Sequence, residues 1–367
     1  MKLIKRFSQL LFAFSLLLFV LSRRFIKLSA FFNRTICQTV RLLLAHMTSR
    51  VSFSIFEGAV ILSPFFIIMW LVSFFKSKRG ICKQLFTFLS IFLLIPSLYI
   101  LTVGISYISP SPFFTPENVS KDDLIYAART LANEISDVYL ENGEIPNISQ
   151  ICDELSRSYV FFQDIHGYRG NIFPRAKEVF NSKLLARMGT LAFYSFPTGE
   201  VNINTLPPKY TLPFTIAHEY AHYVGISSER DANFMAFLTS LNSTNGYIRY
   251  SGLISGLEFL LSDICKVNKE VYNEILSTLP EYAVTDLAAY REYSNEYEKG
   301  IVFGISDGLN SAHLDVWDEN GRNSYSDVSR LIVAYINNSI SLRIKCSETT
   351  VFWSEKWDDL LFAEGKD

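Results

Sequence analysis

Thr215-Ile-Ala-His218-Glu219-Tyr-Ala-His222-Tyr-Val-Gly225-Ile-Ser-Ser228-Glu229-Arg-Asp231-Ala-Asn233-Phe is the stretch from which this 367-residue sequence can be read. It contains the pattern His-Glu-x-x-His. Residues four apart on a helix share a face, so His218 and His222 can turn two imidazoles toward one cation. Glu219 stands one step round, beside the position such a cation leaves open, where it can take a proton from a coordinated water. Gly225 is suited to end that helix in a left-handed conformation.

A second helix follows. Ser228 is the expected N-cap, with Asp231 three residues on as its capping-box partner. Glu229 then falls in the first turn and Asn233 one turn later on the same face. Glu229 is the expected third ligand, and Asn233 the amide that orients a ligand histidine. Two histidines and one carboxylate leave a fourth position open, the arrangement of a catalytic rather than a structural zinc site. The same donors also suit other divalent metals. A bare His-Glu-x-x-His is a weak signal, but the chain has only five histidines, so chance pairing is rare. The bland alternative is an amphipathic helix with two ordinary histidines.

Outward from this stretch, the composition divides the chain. Hydrophobic residues make up 49%, with 31 phenylalanines, and they crowd into roughly the first 110 positions. Three uncharged apolar runs lie there: Phe7 to Ser22, Gly58 to Phe75 with Glu57 just ahead of it, and Gln84 to about Tyr107. The last two are long enough to span the ~30 Å hydrocarbon core as helices. Pro96 should kink the third. The first is read as an uncleaved span, with a signal peptide as the alternative, because Arg23 and Arg24 follow at once and no small-residue cleavage site is evident.

Lys76, Lys78, Arg79 and Lys83 place the loop between the last two runs on the cytoplasmic side and everything after Tyr107 on the outer side. Segment 23–50 resists that arrangement, carrying six arginines and lysines and no acid. It is read as an amphipathic helix on the membrane surface, with Ile36, Val40, Leu43 and Leu44 toward lipid.

The expected organisation is therefore a membrane region over 1–110 and a catalytic domain over 111–367, joined by the proline-rich linker that starts at Ser109. The later part reads as mainly helical α+β. Residues 121–141, 148–160 and 174–187 have helical spacing, while 189–196, 197–200 and 201–204 read as strand, turn and strand. The net charge of -2 argues against a nucleic-acid partner. Five cysteines without a Cys-x-x-Cys pair read as scattered thiols.

The chain also resembles the DUF3810 family of membrane proteins and, with it, the gluzincin-type zinc metallopeptidases. Beyond the histidine motif the resemblance rests on Gly199-Glu200, Ala232-Asn233-Phe234 and Gly104 to Tyr107. Nearer the C-terminus it includes Asn320-Gly321, Ser324-Tyr325 and Val328 to Tyr335. It implies a small antiparallel sheet above the motif helix, with the Glu229 helix packed behind. In such peptidases an edge strand binds extended substrate by strand addition, a role open here to 189–196 or 201–205.

A further group must steady the developing oxyanion. Tyr325 is preferred, with His313 and Arg330 as alternatives. The expected function is a membrane-anchored zinc hydrolase acting on peptide or protein substrates near the bilayer. The alternative is an inactive membrane-anchored scaffold that keeps the fold.

Overall fold

The computed structural model describes residues 2–76, 81–113, 119–139, 145–166, 173–318 and 327–337. Three helical stretches, Leu3–Arg24, Ile55–Lys76 and Lys83–Ile108, are long and apolar enough to cross a membrane. The third is interrupted at Leu93, ahead of Pro96, and passes through a π-helical turn at Ile100–Gly104. Pro96 lacks the N–H that a continuous helix requires, so the break there has a local cause. Residues 77–80, which include Lys78 and Arg79 of the expected cytoplasmic loop, lie outside the described residues.

The acid-free segment turns Leu43 outward as expected, but not Ile36 or Val40. It forms Ile26–Phe32, a π-turn at Asn33–Cys37 and Gln38–Thr48. Ile36 and Val40 pack inward on a cluster of Leu18, Cys37, Ile100, Leu101 and Ile105. Arg41 is completely buried. Its guanidinium donates to Thr102 O (2.9 Å), Asn33 Oδ1 (2.9 Å) and Gln38 Oε1 (2.7 Å). A buried charge needs such partners, and they fix the segment against the third apolar stretch.

The main core lies among four helices. Lys121–Tyr139 packs along Gly246–Val267, and Thr211–Val224 packs on Glu229–Leu241. Leu131, Ile135, Ala217, Tyr220, Phe234, Phe237, Leu253 and Leu257 fill the space between them. Ala45 belongs to the same core. Residues on both sides of position 110 therefore share one packed interior.

The sheet has three short strands: β1 (Lys177–Glu178), β2 (Ala192–Ser195) and β3 (Glu200–Ile203). Their order is β1-β3-β2. β2 and β3 form the expected hairpin, antiparallel with Ser195 opposite Glu200. β1 joins β3 in parallel. The sheet is therefore mixed, not antiparallel, and 174–187 is not one helix: after β1, helix Ser182–Arg187 starts under the side-chain cap of Asn181.

The strand at Lys177 has a charge-driven cause. Its buried ammonium reaches Glu200 Oε1 (2.6 Å) and Thr48 O (3.0 Å). Glu200 also accepts the backbone amides of Ile55 and Phe56, each at 2.9 Å. A carboxylate at a helix N-terminus is favourable, and this one ties the hairpin to the start of the second apolar helix. Gly199 turns the hairpin at φ +69°, where an added Cβ would press on Ala45 N at 2.6 Å.

Candidate metal centre

Helix Thr211–Val224 ends at Gly225 with φ +97°. The amide of Ile226 reaches back to Ala221 O (2.9 Å), which closes the helix with the expected left-handed cap. A second reason for glycine comes from the packing. A Cβ at 225 would overlap the Arg41 guanidinium and the Asn33 amide, and Asn33 Nδ2 donates to Gly225 O (2.8 Å).

The next helix, Glu229–Leu241, starts after Ser228, whose backbone is extended as a cap requires, but whose side chain makes no capping bond. Asp231 does not close a capping box either; it pairs with Arg230 Nε at 2.8 Å. The amide of Glu229 is met instead by Asp318 Oδ2 at 3.3 Å, from the far end of helix Gly300–Trp317. That partner lies too far along the chain for local capping patterns to reveal.

Glycine cap and second helix together turn Glu229 back over the histidines. One donor atom from each of His218, His222 and Glu229 falls within 4.8 Å of the others. The Glu229 carboxylate lies 3.3 Å from His218 Nε2 and 3.7 Å from His222 Nε2. The two Nε2 atoms are 3.1 Å apart.

The rings are oriented from behind. His218 Nδ1 faces Asn233 Oδ1 at 2.8 Å, and His222 Nδ1 faces Ile226 O at 2.9 Å. When each Nδ1–H donates to its oxygen, both Nε2 lone pairs point at the same spot. Two lone pairs and a carboxylate converging on one point repel one another unless a cation joins them. On the chemistry of its donors the site fits a metal ion.

Glu219 is buried against this triad, and its Oε2 has no hydrogen-bond partner among the described residues. Burial pushes its carboxyl up to about 7; charge at His222 pulls against that and charge at Glu229 adds to it. Burial would raise Glu229 as well, but hydrogen bonding and charge from His218, then charge at His222 and His313, hold it down at about 2. Two carboxylates ten residues apart are thus driven in opposite directions, one toward proton uptake and the other toward permanent charge.

Among the remaining candidates, burial lowers the proton affinity of His313, with charge at Glu229 opposing that and charge at His222 adding to it. The His313 Nε2 lies 3.4 Å from the Tyr107 hydroxyl. Tyr325 falls outside the described residues, as do Asn320, Gly321 and Ser324. Arg330 is half-exposed and paired with Asp327 at 3.6 Å. Of the two sequence segments proposed for strand addition, β3 is paired on both sides, whereas β2 is the edge. Sequence reading alone missed Arg41, Asn33 and Asp318 as supports; a basic segment with no acid was the only hint for Arg41.

A family model described as "Protein of unknown function (DUF3810)" matches residues 32–333. No curated protein and no solved structure matches the chain.

Proposed function

The chain belongs to the DUF3810 family, and we propose that it is a membrane-anchored, zinc-dependent hydrolase of gluzincin-like design, acting as a peptidase. The observation that carries this reading is the convergence of His218 Nε2, His222 Nε2 and the Glu229 carboxylate beside a buried, unpartnered oxygen of Glu219. An unpaired buried carboxylate oxygen costs roughly 1–3 kcal/mol, which favours a bound water as its intended partner.

His218, His222 and Glu229 would hold the ion. Bound there, zinc would supply Lewis-acid polarisation of a carbonyl and an acidified water. Asn233 and the Ile226 carbonyl hold the two rings in register. Glu219 takes the proton from the attacking water and returns it to the leaving amine as the C–N bond breaks, a task suited to a carboxyl poised near 7. His313, whose proton affinity responds to charge at Glu229 and His222, is the candidate among the described residues to donate to the developing oxyanion. β2, at the edge of the sheet, is the strand to which an extended segment could add. The three apolar stretches would anchor the site at a bilayer, and the positive charge of the sequence between the second and third favours the outer side for it.

The test is hydrolysis of a fluorogenic peptide library by the full chain in detergent, loaded with zinc. Cleavage that is lost in Glu219→Gln while bound zinc is kept supports the reading. Equal cleavage by the two proteins removes Glu219 as the base.

A further inference from the structure

Helix Gly300–Trp317 turns an apolar side outward. Ile301, Ile305, Leu309 and Val316 are 82%, 59%, 68% and 75% exposed. Their spacing puts them on one face, with Ala312 between them and exposed Asp315 bordering the stripe near its C-terminal end. The opposite side makes protein contacts toward its two ends and leaves Asn310 exposed between them. Leu314 is buried, and Phe303 sits over Gly189. A water-facing surface rarely leaves such a stripe uncovered.

Its surroundings identify the cover. The Trp317 ring lies 5.7 Å from Phe19 and 5.1 Å from Tyr99, in the first and third apolar stretches. Along the third stretch large exposed apolar side chains end at Ile95, and from Ile100 onward the chain is enclosed by protein. Tyr99 therefore marks where lipid-facing surface gives way to the domain. The second apolar helix starts at the same level. There Phe56 packs on Phe193 of β2 at 5.4 Å, and the amide of Phe180 donates to Glu57. The Phe180 ring itself is 91% exposed. Aromatic rings gathered at this boundary are what a membrane–water interface selects. The outward stripe is continuous with the bilayer-facing surface of the same chain.

We propose that helix Gly300–Trp317 lies in the bilayer leaflet beneath the domain, as an interfacial helix forming the lipid-side wall of the metal site. It is a wall of that site because its C-terminal end supplies Asp318 to the Glu229 amide and His313 to the triad's neighbourhood. The substrate class that follows is a polypeptide segment held at the membrane surface, reaching β2 along the lipid. The placement of the helix rests on the membrane-anchored part of the reading above; the substrate class rests also on its metal site.

The test places spin labels on the full chain reconstituted in phosphatidylcholine vesicles, with reactive native thiols replaced by serine. Ile305→Cys and Leu309→Cys report the stripe, Asn310→Cys the opposite side, and Ile67→Cys the second apolar helix. Oxygen collides with labels in lipid, and a water-soluble nickel chelate with labels in water. The proposal predicts oxygen contact and nickel exclusion at 305, 309 and 67, and nickel contact at 310. Nickel contact at 305 and 309 with protection at 67 overturns it and leaves the anchored reading standing. Nickel contact at 67 overturns both. Spin–spin broadening at 305 that disappears on dilution with unlabelled chain assigns the stripe to a second copy and also overturns it. Ile301→Cys and Val316→Cys give the same readout where a label at 305 or 309 perturbs folding.

Discussion

Glu200 and Glu219 are both buried carboxylates, one in the hairpin that meets the apolar helices and the other on the helix of the candidate metal site. Glu200 is saturated: Lys177 and the amides of Ile55 and Phe56 donate to it. Although burial opposes ionisation, those donors pull its carboxyl down. Glu219 has an oxygen without a partner among the described residues, and burial pushes its carboxyl up to about 7. A closed network of this kind stabilises a joint, whereas an open one leaves a group free to exchange a proton. The contrast separates a closed part of the polar interior from an open one, and each variant below tests one side of it.

The largest effect falls on chemistry. Glu219→Gln should lower turnover by about 10²–10⁴-fold, the usual contribution of a positioned general base, while zinc content and thermal midpoint stay near those of wild type. Steady-state assays beside metal analysis check this. Glu200→Gln should do the reverse. It strands the Lys177 ammonium in the interior and should cost roughly 3–5 kcal/mol of stability, read from denaturant unfolding in detergent. Turnover per folded, metal-loaded molecule should change little.

The pH response of the chelator-stripped chain sharpens the same pair. Glu219 has a folded pKa above its unfolded one. Its protonated form is favoured by folding, so its contribution is present at low pH and is lost as pH rises from the ordinary carboxylate range through about 7. A rise of that size corresponds to on the order of 3 kcal/mol. Glu219→Gln should abolish this loss. Glu200 has the opposite sign: its contribution is present above the ordinary carboxylate range and is lost as pH falls. Unfolding curves from pH 2 to 8 for the two glutamine variants separate these slopes. The smallest effect is expected behind the ligands. Asn233→Ala releases His218 Nδ1 and should weaken zinc binding by about 10–100-fold, measured by competition with a chromogenic chelator.

Local spacing carried much of the candidate metal centre. The helix pair, its left-handed break at Gly225 and the β2–β3 hairpin are all set by residues within one or two turns of each other. The histidines, Glu229 and Asn233 meet in the structure because of that short-range geometry. What escaped the sequence depends on partners far along the chain. Arg41 looked like a surface charge because its acceptors include the carbonyl of Thr102, and a backbone carbonyl has no residue signature. Lys177 looked helical because its strand exists only through parallel pairing with β3 and the distant Glu200. Asp318 caps Glu229 from 89 residues away, where no capping-box pattern applies. Ile36 and Val40 had the apolar spacing of a lipid-facing stripe, but periodicity does not distinguish lipid from the interior of the same protein.

The most direct test of the metal centre is elemental analysis of the full-length chain purified in detergent, wild type beside His218→Ala/His222→Ala. The account predicts about one zinc per folded wild-type chain and a loss of that metal in the folded double variant. Folded wild type that takes up no metal, or a double variant that keeps the full amount, would contradict it.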